Sequence, residues 1–315
     1  MQLFIGGHMF SSDIVSTVSN SYDLASNHIH SDISLISNVL VVVAIFLAAS
    51  WYLRMLMKVN REHPSQPWPG RPAWCFFLGL SLVALVLIGP VASTSTHDFR
   101  FHMVQHIVLM MIAAPLLILG APVLLLMRSA TSPTRINRIR PALNSRIFLF
   151  ATNPVVTWIA FASVVVGMHF TTAMDALMTL GIIGRTLETC IYLGVAMLFY
   201  YTLLPGNPAR NRLPPAMRVM SLFLIMIPST MTGFFLYSAS IPLHTHFVVG
   251  VNLLGEDPLA QQRTGGVLMW STSMFIDVAW IAIAVSDWFD QEAIRTKRLD
   301  RLLHREAQHE TQVEA

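Results

Sequence analysis

Seven long apolar blocks separated by short polar connections dominate this sequence and restrict it to one structural class. They run approximately Val39 to Met57, Ala73 to Val91, Met103 to Met127, Ile147 to Met168, Leu187 to Leu204, Val219 to Ala239 and Val267 to Val285. Each approaches the ~20 residues that carry a helix across ~30 Å of hydrocarbon. Within lipid, every backbone N–H and C=O needs a partner inside the protein, so blocks without two-residue alternation form helices and not barrel strands. Of 315 residues, 54% are apolar and 12% charged, about half the charged fraction of a soluble domain. The expected fold is all-α: a polytopic membrane protein with seven transmembrane helices. Residues 1–38 are expected as an external polar segment, 39–286 as the membrane domain and 287–315 as a charged, solvated helical tail. The first 38 residues contain no Lys or Arg and so lack the basic region of a cleavable signal peptide. Pro115, Pro122, Pro154 and Pro228 are positions where kinks are expected.

The charges fix an expected orientation. Seventeen of the twenty Lys and Arg fall on one set of connections and the tail, leaving Arg100, Arg185 and Arg263 on the other. Cationic loops stay in the cytoplasm, so the N-terminus is expected outside and the C-terminus inside. The net charge of +3 thus divides into a cytoplasmic side near +9 and an outer side near −5, with Asp277 between them in the membrane. No basic run interleaved with aromatics points to nucleic acid, and no internal repeat points to an inverted-repeat transporter. Cys75 and Cys190 fall at opposite ends of their helices, too far apart to bridge, and are expected as packing residues.

Histidine follows the opposite rule. Nine of the twelve, including His8, His28 and His30, lie on the cation-poor side, several beside methionine, as in His8-Met9, His102-Met103 and Met168-His169. Imidazole ligates many transition metals and thioether sulfur favours Cu(I). The most specific constellation is His102-Met103-Val104-Gln105-His106 at the mouth of the third helix, with Met110 one turn deeper. Residues four apart share a helical face, so His102 and His106 can reach one ion, or each can hydrogen-bond a neighbouring helix. His169, at a comparable depth, is a candidate third ligand. His244-Thr245-His246 is a weaker pair, able to chelate or simply to face solvent. Asp277 lies 12 residues past Gly265, about 18 Å along a helix and near mid-membrane, where a carboxylate serves either a structural hydrogen bond or a proton or ion path. Arg185 and Glu188, three apart, are expected to form an ion pair.

These residues sit in motifs that resemble a known family. His102-Met103-Val104-Gln105-His106, followed by Ala114-Pro115-Leu116-Leu117-Ile118-Leu119-Gly120-Ala121-Pro122, and Gln261-Gln262-Arg263-Thr264-Gly265-Gly266-Val267-Leu268-Met269-Trp270, are similar to motifs of the polytopic CtaG family of cytochrome c oxidase assembly factors. The resemblance covers approximately Val39 to Ser286. It implies a non-enzymatic bacterial plasma-membrane protein that matures a haem-copper oxidase by supplying copper to its CuB centre, with oxidase subunits and other copper chaperones as partners. Two departures stand out. Arg185-Thr186-Leu187-Glu188-Thr189 lacks the histidines usual around the Leu-Glu pair, and Gln261 replaces an acid. Only His102, His106 and His169 are therefore carried over as ligands, with Met103 or Met110 as soft donors. Two other functions remain open on the residues alone: a haem-binding membrane oxidoreductase, which needs axial histidines from opposed faces, and a copper transporter or channel, which needs donors continuing through the membrane.

Overall fold

The apolar blocks become helices that pack around the third. The computed structural model describes residues 38–248 and 257–313, with side chains to Leu302; the expected N-terminal segment with His8, His28 and His30 lies outside them. The principal helices are α1 (Asn38–Glu62), α2 (Gly70–Leu87), α3 (Phe99–Ser129, interrupted), α4 (Pro154–Phe170), α5 (Gly181–Leu203), α6 (Pro215–Ser238) and α7 (Pro258–Val313). No strand occurs among the described residues. Six of these helices are long and apolar enough to cross a membrane, and α4 makes a seventh with the short helix Ala173–Thr179, bent by 74° from it. The fourth span also starts later than expected. Arg146–Ala151 is a separate helix, and α4 opens at Pro154, where Asn153 accepts hydrogen bonds from the Val155 and Val156 N–H groups.

Burial shows which helix is central. In its most apolar stretch α3 is 61% buried, against 6% for α1. One face of α3, through Leu109, Leu117 and Leu125, packs with Tyr52 of α1 and Phe76 of α2. The other, through Met103, Ile107, Met110 and Ile118, joins Phe161, Tyr192, Leu222 and Trp280.

Proline explains the irregularity of α3. Pro115 has no N–H for the Met111 carbonyl; the chain forms a π turn over Val108–Ala113, and the Trp280 indole of α7 donates to Met111 O at 2.8 Å. A second break at Gly120-Ala121, where Ala121 is left-handed (φ 50°), precedes Pro122. Asn207, from the α5–α6 connection, closes it by donating to Ile118 O (2.8 Å) and accepting from Val123 N–H (3.0 Å). Tyr52 donates to Gly120 O at 2.8 Å. Each freed backbone group thus finds a tertiary partner, as lipid demands. Pro228 leaves α6 continuous.

The last two helices touch backbone to backbone. A Cβ on Gly233 would stand 2.8 Å from Gly266 O, and one on Gly266 would stand 2.7 Å from Gly233 O and from Tyr237 N. At the other end of α6 and midway along α7, buried Arg218 donates to Asp287 at 2.8 Å. That bond ties the first residue of the expected tail to α6, and α7 runs through 286 and 287 without interruption.

Candidate metal centre

The start of α3, the end of α4, the start of α5 and the end of α6 meet at one end of the bundle, opposite the arginine-rich connections. Asp98 caps α3 by accepting from Arg100 N–H. One helical turn separates His102 from His106, and their rings lie 4.1 Å apart with Nε2 atoms at 2.7 Å. At that distance one nitrogen donates a proton to the other. Both rings are buried.

Two further donors close on this pair. Met174, on the bent helix Ala173–Thr179, places Sδ 3.3 Å from His102 Nε2. Gly184 permits this: a Cβ there would collide with Leu177 O, so only glycine lets that short helix lie so close to α5. Glu188 on α5 turns inward, with Oε1 3.3 Å from His102 Nε2 and 3.5 Å from His106 Nε2. It is aligned with neither as a hydrogen bond. The expected Arg185–Glu188 ion pair gives way to this arrangement, and Arg185 donates to Ala92 O at 2.9 Å. Ligand atoms of His102, His106 and Glu188 all lie within 4.8 Å of one another and all three residues are buried.

His169 stands next to the cluster, its ring 6.1 Å from that of His106. Its Nδ1–H donates to Val165 O at 2.6 Å, which leaves the lone pair on Nε2, a buried atom without a hydrogen-bond partner. An Nδ1–H anchored on a carbonyl is the usual way a ligating imidazole is oriented. His169 and His106 face a cavity of about 20 Å³ that Met103, Met110, Met111, Met269 and Tyr192 also line, room for about one water-sized occupant.

The two halves of the His244-Thr245-His246 pair separate. His244 is buried, stacked on Phe99 at 5.4 Å and 6.3 Å from the His169 ring. Burial, and next the nearby His169, push its pKa down to about 3 against the opposing pull of Asp175, so it is neutral with a lone pair to offer. His246 instead donates from Nε2 to Thr96 O at 3.2 Å. Asp175 fixes this loop by accepting from Thr245 N–H and Oγ1–H.

The glycine-pair motif turns out to support the site. Gln262 donates to Leu236 O and Ile241 O and accepts from Leu243 N–H at 2.6 Å, holding the backbone just before His244. Gly265 lies against Phe99 and Met103. Asp277 is about three turns deeper than Gly265, buried, with neither carboxylate oxygen hydrogen-bonded. It follows Met269 and Ser273 at four-residue spacing and so lies on the same face of α7. Cys75 and Cys190 are unpaired.

Sequence reasoning selected His102, His106 and His169 but missed Glu188 as a member of the cluster. The available signal was an acid in an otherwise apolar helix.

Comparisons place this architecture among known proteins. The chain is 27% identical over 275 residues to uncharacterized proteins of Mycobacterium bovis and Mycobacterium tuberculosis, covering 85% of this chain and 40% of each relative. An uncharacterized protein of Mycobacterium leprae is 25% identical over 257 residues, 79% of this chain and 38% of the relative. The chain thus spans about 40% of the length of these relatives. No solved structure matches it. Residues 50–291 match the family described as cytochrome c oxidase caa3 assembly factor, and a chain with that match over most of its length belongs to that family.

Proposed function

We propose that this protein is a non-enzymatic copper-handling assembly factor that holds the ion at the His102–His106–Glu188 cluster and passes it to the CuB centre of a cytochrome c oxidase. Family membership supports the oxidase as partner, and the convergence of two imidazoles, a carboxylate and the Met174 thioether on one buried point supports a metal ion as the cargo. A cation there would take the Nε2 lone pairs of both rings, the proton between them moving to Nδ1 of the ring that carries it, and the charge of the ion would offset that of Glu188. Imidazole with thioether suits Cu(I) and the carboxylate suits harder ions, so the set accepts copper in either oxidation state. His169 and His244 are neighbouring donors onto which the ion moves, Met103 and Met110 soft donors beneath, and His246 has no part. The excess of Lys and Arg on the opposite connections supports an orientation with that end of the bundle in the cytoplasm of a bacterial plasma membrane. The cluster then faces outward, where an oxidase subunit and a donor copper chaperone reach it.

A haem reading is disfavoured by space, because the cavity beneath the rings, about 20 Å³, is far smaller than a cofactor pocket. Transport has one observation in its favour: Met110, Met111 and Met269 continue inward from His106 toward Asp277. In a host lacking this gene, the unaltered chain should restore oxidase activity. The His102→Ala/His106→Ala variant, present in the membrane at equal amount, should not. Full restoration by the variant would refute the assignment, and copper uptake into proteoliposomes would replace delivery with transport.

A further inference from the structure

The strongest unassigned feature lies at the other end of the bundle. His63, Gln66, Arg128, Arg135 and Arg140, with Leu124 and Met127 as an apolar wall, line an open pocket of about 360 Å³. Three guanidinium groups and an imidazole therefore meet in one space with no carboxylate in its walls. Among the described residues, the acid next to His63 in sequence, Glu62, pairs with Lys58 at 3.8 Å.

Two of these arginines are held in place. Arg128 donates to Gln66 O at 2.7 Å and its guanidinium lies 5.7 Å over the Trp68 ring. Arg135 donates to Ala130 O at 3.0 Å, while its Nε is buried without a partner. Backbone geometry adds Arg140. Residues five apart on an α-helix point about 140° away from each other. Arg135–Ile139, however, is a π turn in which the Arg140 N–H donates to Arg135 O, and i to i+5 bonding brings both side chains toward one face. π turns are rare and frequent at functional sites.

We propose that this pocket binds a phosphate group, carried by an anionic phospholipid or presented as free phosphate. Planar guanidinium forks match phosphate oxygens in pairs, and basic pockets between membrane helices on the cytoplasmic side take anionic headgroups. Leu124 and Met127 beside the cations give the start of an acyl chain an apolar surface.

The full chain in phosphatidylcholine nanodiscs, with and without phosphatidylglycerol, and in detergent with and without inorganic phosphate, tests this by thermal midpoint. Phosphatidylglycerol should raise the midpoint of the unaltered chain. In Arg135→Gln/Arg140→Gln, the concentration needed should rise about tenfold or more, as expected for lost charge-assisted bonds. Arg210→Gln, an exposed arginine outside the pocket, should behave as the unaltered chain. A rise with inorganic phosphate, lost in the same double variant, identifies the free ion; a rise with the lipid alone identifies the headgroup. Native mass spectrometry of the unaltered chain, independent of any variant, should retain phosphatidylglycerol or phosphate in preference to phosphatidylcholine. No rise with either probe, an undiminished rise in the double variant, an equal loss in Arg210→Gln, or no selective retention would overturn the proposal.

Discussion

Glu188→Gln should weaken copper binding by about tenfold to a hundredfold while leaving the metal-free protein as stable as before or more so. The two halves of that expectation have one physical cause. A carboxylate at this depth has given up its hydration, and its oxygen nearest the histidines is not compensated by a hydrogen bond; taking a charge out of water costs several kcal/mol unless a partner repays it. In the metal-free chain Glu188 is therefore a liability that glutamine removes at nearly constant volume. With copper present, the carboxylate supplies charge and an oxygen ligand, and disturbing even the groups that only orient metal ligands typically costs ten- to a hundredfold in metal affinity. A purely structural Glu188 would give the opposite pattern: loss of stability with unchanged copper affinity. Isothermal or chelator-competition titration, paired with thermal unfolding of the metal-free protein, separates the two. Because oxygen is the harder donor, the loss should be larger for Cu(II) than for Cu(I).

The second large effect belongs to the α6–α7 contact. Gly266→Ala should destabilise the protein by up to about 2 kcal/mol, and Gly266→Leu should prevent accumulation of folded protein. Alanine gains about 1 kcal/mol of helix propensity over glycine, which alone would stabilise α7. Against that, the new Cβ would sit 2.7 Å from two backbone atoms, Gly233 O and Tyr237 N, which cannot rotate aside as a side chain does. Overpacking of this kind typically costs 1–3 kcal/mol, and the clash wins. The damage would reach the site, since Gly265 bears on Phe99 and Met103 and Gln262 holds Leu243 beside His244. A thermal midpoint equal to or above that of the unaltered chain in Gly266→Ala would show that the helices can separate freely.

The fold was legible where a local rule and the tertiary demand coincide. Seven apolar blocks of spanning length permit little besides helices, and the four-residue spacing of His102 and His106 does place both rings together. The sequence was silent where a partner from elsewhere decides the outcome. The π turn before Pro115 is sustained by Trp280, 169 positions away from Met111, and the break at Gly120-Ala121 by Asn207. Glu188 was misread because the i, i+3 rule rewards its pairing with Arg185, whereas rotation of α5 turns the carboxylate inward and gives Arg185 a backbone carbonyl. Met174 reaches His102 only because its short helix bends back by 74°, and no periodicity encodes that angle. In the His-x-His segment, Asp175 and Thr96 divide two residues that spacing alone treats as equals.

The central claim is that His102 and His106 hold copper in one buried site. Titration of the purified chain with Cu(I) against a competing chelator, alongside His102→Ala/His106→Ala, tests it most directly. One tightly held copper per chain in the unaltered protein, absent from a variant that keeps its helical spectrum, is the predicted result. Equal occupancy in the variant, or no copper retained by the unaltered protein, would contradict it.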